Sequence, residues 1–320
     1  MRKINMLIII ALVSSFLLPF AVAQEKFNLE YKFQEGQTRY MLFITQGQVN
    51  IELPQSVQEG AMPMSFPLIM AMSLSMKTLK VYSDGAADVE IRLVDGKMYM
   101  MGQEISMLQQ QGATQPIRIR MGKKGNLIKL LTPINIPQGN PFMGTINPDM
   151  LVQNFSRLTV LPQEEVGVGD KWEQKIDTEI PNLGKLNLLQ KMTFTSVEKI
   201  GDVNCAKISI EIPPSTFQFN IPMGPPTQGQ EPPTLPLNGK LEMKGDMVFD
   251  PQNGYMVSQS GTLKMLINVT MPAGGQVGAP SSLSTNIDMK FKVTTMDKKP
   301  TLPTPTQIQQ QFQPQQESQA

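Results

Sequence analysis

The chain has 320 residues, a net charge of +1 with acids and bases interspersed, and no histidine. The near-neutral balance argues against a nucleic-acid partner, which needs a basic face. The missing histidine excludes Ser-His-Asp triads, Cys–His pairs and His-ligated zinc or copper.

At the N-terminus, Met1, Arg2 and Lys3 form a short basic region. An apolar stretch from Ile4 to Phe20 follows, ending in Ala21-Val22-Ala23 before Gln24. This is the pattern of a cleaved secretory signal over residues 1–23, and the apolar run is short for a bilayer span of about 20 residues. No cysteine stands at the exit, so the expected product is not lipid-anchored; the one cysteine is Cys205. No later segment reads as a transmembrane anchor. The expected location is periplasmic or extracellular, with a product soluble after cleavage. Cys205 sits in an apolar run and reads as a buried small hydrophobe.

From residue 24 onward, alternation of apolar and polar residues dominates. Met72, Leu74 and Met76 alternate with Ser73, Ser75 and Lys77. Val89, Ile91 and Leu93 alternate with Asp88, Glu90 and Arg92. The pattern returns at Ile117–Met121, at Ile208, Ile210 and Ile212, at Leu241, Met243, Met247 and Phe249, at Leu263, Met265, Ile267 and Val269, and at Ile287, Met289, Phe291 and Val293. Such alternation predicts antiparallel strands with one wet and one buried face. Turn signals stand at Asp84-Gly85, Asp95-Gly96, Lys124-Gly125, Gly201-Asp202 and Asn253-Gly254. Gly122-Lys123-Lys124-Gly125 lacks phosphate-loop spacing and reads as a hairpin turn.

Helical signals are few. Residues 103–111 suggest one short helix, and residues 148–158, capped by Asn147 with Pro148 in the first turn, suggest a second. Residues 53–68, 132–145 and 213–237 are rich in proline and apolar residues and read as long connections that cover a core or gate a pocket. Residues 299–320 are Pro/Gln-rich and are expected to be a disordered tail.

Two halves read alike, residues 24–146 and 147–298. Glu35-Gly36-Gln37 leads into one strand and Val168-Gly169-Asp170 into another, and two hairpins follow each. Residues 285–295 add a closing strand to the second half. The pattern fits an internal duplication or a single meander without symmetry; β-hairpins resemble one another by pattern alone.

"GVGDKW" at residues 167–172 and "GDMVFDPQNGYM" at residues 245–256, with the repeated strand-turn-strand units and the export signal, resemble a broad group of secreted bacterial β-rich proteins of unassigned function. The layout over residues 27–296 is similar, more distantly, to the periplasmic lipoprotein-carrier fold. That resemblance implies an antiparallel half-barrel whose concave apolar face holds acyl chains. The chain departs from the carrier pattern in having fewer covering helices and more strands.

Methionine is unusually abundant, with 24 residues. Met62, Met64, Met70, Met72 and Met76 form one cluster, and Met98, Met100 and Met101 another. Three readings stand: flexible core filler, an adaptable apolar pocket, or a thioether site for Cu(I). Strand-period spacing favours the first two. Glu164, Glu165, Asp170 and Glu173 lie near Trp172 and read as a solvated turn rather than an acid/base pair. Trp172 reads as a core anchor at the start of a strand.

The sequence therefore predicts an all-β or β-rich α+β protein: a large curved antiparallel sheet, half-barrel-like, with one or two short helices. The expected role is that of an exported, non-enzymatic envelope protein without cofactor or metal, holding an apolar ligand such as a lipid or acyl chain. The alternative is a structural or protein-interaction module of the envelope with no small ligand. The expected apolar lining is Met70, Met72, Leu74, Met76, Met243, Met265 and Met289. The expected partners are a lipid or an envelope protein.

Overall fold

The computed structural model describes residues 25–52, 64–109, 115–132, 161–180, 184–222, 234–270 and 282–313. The expected signal peptide and the expected helix at 148–158 lie outside these residues. The strands are β1 (Thr38–Glu52), β2 (Met64–Val81), β3 (Ala87–Met100), β4 (Gln103–Ser106), β5 (Ile117–Met121), β6 (Leu127–Leu130), β7 (Lys171–Ile180), β8 (Gly184–Ile200), β9 (Val203–Pro222), β10 (Thr234–Asp250), β11 (Tyr255–Thr270) and β12 (Ser282–Met296). They form a 12-stranded antiparallel sheet in the order β6-β5-β3-β2-β1-β12-β11-β10-β9-β8-β7, with β4 beside β3. The sheet is not closed. No described helix is long and apolar enough to cross a membrane.

The alternation read from the sequence carries through the registers. Phe43 on β1 stands opposite Met72 on β2 and Val293 on β12. Met289 pairs Gly47 and Leu263, and Leu263 pairs Met243. One face is thus lined by Met, Leu, Ile and Phe. The other carries Lys290, Lys264, Lys244 and Asp288, all exposed. Cross-strand ion pairs knit that polar face, including Arg120 to Asp88 at 2.7 Å and Arg118 to Glu90 at 2.9 Å.

The sheet curls around its apolar face, and residues 25–33 show why. The amide of Tyr31 donates to the carbonyl of Lys123, and the next amide, Lys32, donates to Gly254. Lys123 lies in the β5–β6 turn and Gly254 in the β10–β11 turn. In a flat sheet β5 and β11, five strand spacings apart, would stand roughly 24 Å from each other. Two consecutive amides hold these turns within about 10 Å. Residues 161–166 complete the closure at this end: Phe27 and Val166 exchange backbone bonds, and Leu161 donates to Lys124. The main core fills the curl, with Phe27, Leu29, Leu161, Phe194, Ile208 and Phe249 all buried. Phe27 packs on Phe194, and Tyr31 meets Phe249 edge-on.

Glycines permit the bend on the inner face. Gly245 stands opposite Gly261. A Cβ on Gly245 would collide with the Ser260 carbonyl oxygen, and one on Gly261 with that of Lys244. Backbones this close need residues without side chains.

A pair of joints occurs twice. Gly36 (φ 81°) donates to Thr78, and Thr78 donates back to Gln37. Gly169 (φ 94°) donates to Phe194, and Phe194 donates back to Asp170. A bulge follows each partner, between Thr78 and Lys80 and between Phe194 and Ser196. The β5–β6 and β10–β11 hairpins also share a bulge, at Arg120/Met121 and at Val248/Phe249.

Several expectations are corrected. Residues 103–111 hold no α-helix among those described; β4 occupies Gln103–Ser106 and a 3₁₀ turn Met107–Gln109. Met101 (φ 52°) and Gly102 (φ 77°) turn the chain back onto β3, as a tight hairpin requires. Asp95-Gly96 is not a turn but lies inside β3, beside a bulge. The expected connections are shorter than read, because residues 64–68, 213–222 and 234–237 are strand. Pro213 and Pro214 fit in β9 at a bulge, where the missing N–H groups break no ladder bond.

The tail is also corrected, since residues 299–313 are ordered. Helix α1 (Pro305–Phe312) begins with a Thr304/Gln307 capping box and Pro305 in its first turn. Its Ile308 is fully buried against an apolar patch of the outer face, Ile44, Ile69 and Ala71, with Leu42 and Tyr99 around it.

Candidate functional site

The seven expected lining residues all fall on the concave face. Met70, Met72, Leu74 and Met76 stand opposite Thr45, Phe43, Met41 and Arg39. Met98 extends this run as the β3 partner of Met70. Across the β1–β12 seam, Met289 adjoins Leu263, and Met243 adjoins Leu263 from the other side. Met265 stands between Leu241 and Ile287. Two groups therefore form one stripe, joined through Phe43, Gly47 and Val49 of β1.

All seven side chains are half-buried. The main buried core sits at the end closed by residues 25–33 and 161–166, and Met243 packs against it and against the buried pair Leu188 and Ile212. Away from that end, the main contacts between described strands run between neighbours in the sheet, while the 3₁₀ turn packs on β3 and α1 on β1 and β2. The result is an apolar trough, plugged at one end. Residues 53–63, 223–233 and 271–281, which follow β1, β9 and β11 in the chain, lie outside the described residues. Sequence reasoning missed Phe43, Leu241, Leu263 and Ile287 as lining. Their strand parity, matched to that of the chosen methionines, was the signal that could have found them.

The closed end is held by polar as well as apolar contacts. Lys124 is 5% exposed and donates to Asn28 Oδ1 at 2.8 Å and to the Leu29 carbonyl at 3.0 Å. Burial lowers its pKa below the ordinary lysine value. Burial pushes the Tyr31 phenol up to about 12. Cys205 is 1% exposed, and burial raises its thiol pKa, which removes thiolate reactivity.

The carboxylates noted around Trp172 are brought together. Glu164, Glu165, Asp170 and Glu173 line an open groove of about 650 Å³ with Lys26, Leu161, Trp172 and Gln174. Asp170 is engaged in the local turn, accepting from the Gly167 amide at 2.9 Å. Glu164, Glu165 and Glu173 are exposed to water. Among the described residues no group of acidic side chains and cysteine is arranged to hold a metal ion.

No protein-family model matches the chain, and no curated protein matches it. Among solved structures, it is similar to the Salmonella typhi porin OmpF in complex with daunomycin, over 84% of this chain and 100% of that one. The identity is 6% and the TM-score 0.25. That likeness is weak and assigns neither family nor function.

Proposed function

We propose that this is an exported, non-enzymatic envelope protein that holds a lipid or acyl chain along the concave face of its sheet. One observation carries the reading: seven half-buried apolar side chains share one face of a trough whose end is plugged. Apolar surface left next to water costs roughly 25 cal/mol per Å², and an acyl chain laid along the stripe recovers that cost. Unbranched, polarizable methionines adapt to chains of varied length and kink. Export rests on residues 1–23 of the sequence. The doubled joints at Gly36 and Gly169 support descent of the two halves from one duplicated unit, because a simple meander needs no bulge at matched places.

Native mass spectrometry and solvent extraction of the purified protein, followed by titration with a fluorescent fatty acid, test the reading. Co-purifying lipid and saturable uptake are expected. Met72→Glu and Met289→Glu, placed in the middle of the stripe, should weaken uptake at least tenfold while circular dichroism stays unchanged. A wild-type protein that carries no lipid and takes up no fatty acid is not a carrier.

A further inference from the structure

We propose that the groove beside the outer edge of β7 receives an extended basic peptide, which adds to the sheet as a further strand. β7 pairs with β8 on one side, and among the described residues no strand pairs its other side. An edge strand presents unpaired backbone N–H and C=O groups, and an extended chain satisfies them by augmentation.

The groove holds polar groups that lack partners. Trp172 Nε1 and Gln174 Oε1, on two residues that line the groove, are buried without a hydrogen bond, as is Gln190 Oε1 on the neighbouring strand β8. Gln190 is 3% exposed and stands directly opposite Gln174 across β7 and β8. Buried polar groups are nearly always satisfied, so an orphan donor and an orphan acceptor on groove-lining residues point to a missing ligand. A peptide supplies both carbonyl and N–H groups; a hydrocarbon chain supplies neither. The groove thus differs in chemistry from the apolar trough.

Charge sets the kind of peptide. Glu164 and Glu165 are exposed on the segment that forms the far wall, and Glu173 is exposed on β7, 4.0 Å from Lys191. Lys26 and Lys171 offset only part of this charge. A strand with lysines on alternate positions suits this rim.

Trp172 is the chain's one tryptophan, so its emission reads the groove directly. The probes are a peptide of about ten residues alternating Lys and Thr, its Glu-Thr counterpart, and the Lys-Thr peptide N-methylated at alternate residues. A saturable emission shift is expected with the first, and binding at least tenfold weaker with the other two. Glu164→Lys combined with Glu165→Lys should invert the preference towards the acidic peptide. No shift with the Lys-Thr peptide overturns the proposal. So does an equal response to its N-methylated form, which marks adsorption by charge alone. Fluorescent fatty acid bound in the trough should stay bound during the titration. Its displacement by the peptide would mean one shared site, and that too overturns the proposal.

Discussion

At the residue scale, the polar face is held by charge-assisted pairs whose effect can be measured. The Arg120 guanidinium beside Asp88 holds that carboxyl below the usual carboxylate range, and the Tyr82 hydroxyl, 2.7 Å away, adds to the effect. A carboxyl lowered in the folded state stabilises above its unfolded pKa of about 3.9, and the benefit is lost as pH falls through the folded value. Asp88→Asn should therefore cost about 0.5–1 kcal/mol at neutral pH, the pair being partly exposed. The gap to wild type should close as urea unfolding is repeated from about pH 5 towards pH 2. An unchanged gap at low pH would show that the asparagine acts through packing. That Met70, Met72, Leu74 and Met76 share one face was legible at this scale too, because parity along a strand assigns side chains to faces. Lys124 was not: a lysine in a Gly-Lys-Lys-Gly turn reads as solvated, and only its contacts with Asn28 and Leu29 bury it.

At the element scale, each strand was visible where apolar and polar residues alternate cleanly, and was misread where proline interrupts. Pro213 and Pro214 suggested a loop, yet a bulge absorbs them and β9 runs on to Pro222. Helix α1 was invisible for a related reason. Its composition is almost wholly Pro, Thr and Gln, and its one buried anchor is Ile308. Local composition predicted disorder; the outer-face apolar patch at Ile44, Ile69 and Ala71 supplies the tertiary contact that orders it. Short helices draw most of their stability from such contacts. Ile308→Ala should cost about 2–4 kcal/mol at this contact. Because α1 contributes no strand to the sheet, the loss should appear as undocking: faster proteolytic cleavage around residues 299–313, with the denaturation midpoint of the sheet nearly unchanged.

At the scale of the whole molecule, the trough depends on the closure that curls the sheet. Segments 25–33 and 161–166 tie turns from distant strands together, and Lys124 is the polar latch between them. Lys124→Met keeps the volume but leaves Asn28 Oδ1 and the Leu29 carbonyl without their donor. The expected cost is about 1–3 kcal/mol, read as a lower urea midpoint with an unchanged slope. A stability equal to wild type would show that water replaces the ammonium group.

The sequence by itself determined the strands, their two unlike faces and the absence of histidine chemistry. These follow from residue type and from a period of two, which are local properties. It also placed the four apolar side chains of β2 from Met70 to Met76 on one face before any contact was known. Only the tertiary structure decided that both halves share one open sheet, that the sheet curls around residues 25–33, and that the tail docks as a helix. Those outcomes depend on hydrogen bonds between residues far apart in the chain, such as Tyr31 with Lys123 and Lys32 with Gly254, and no local pattern encodes them.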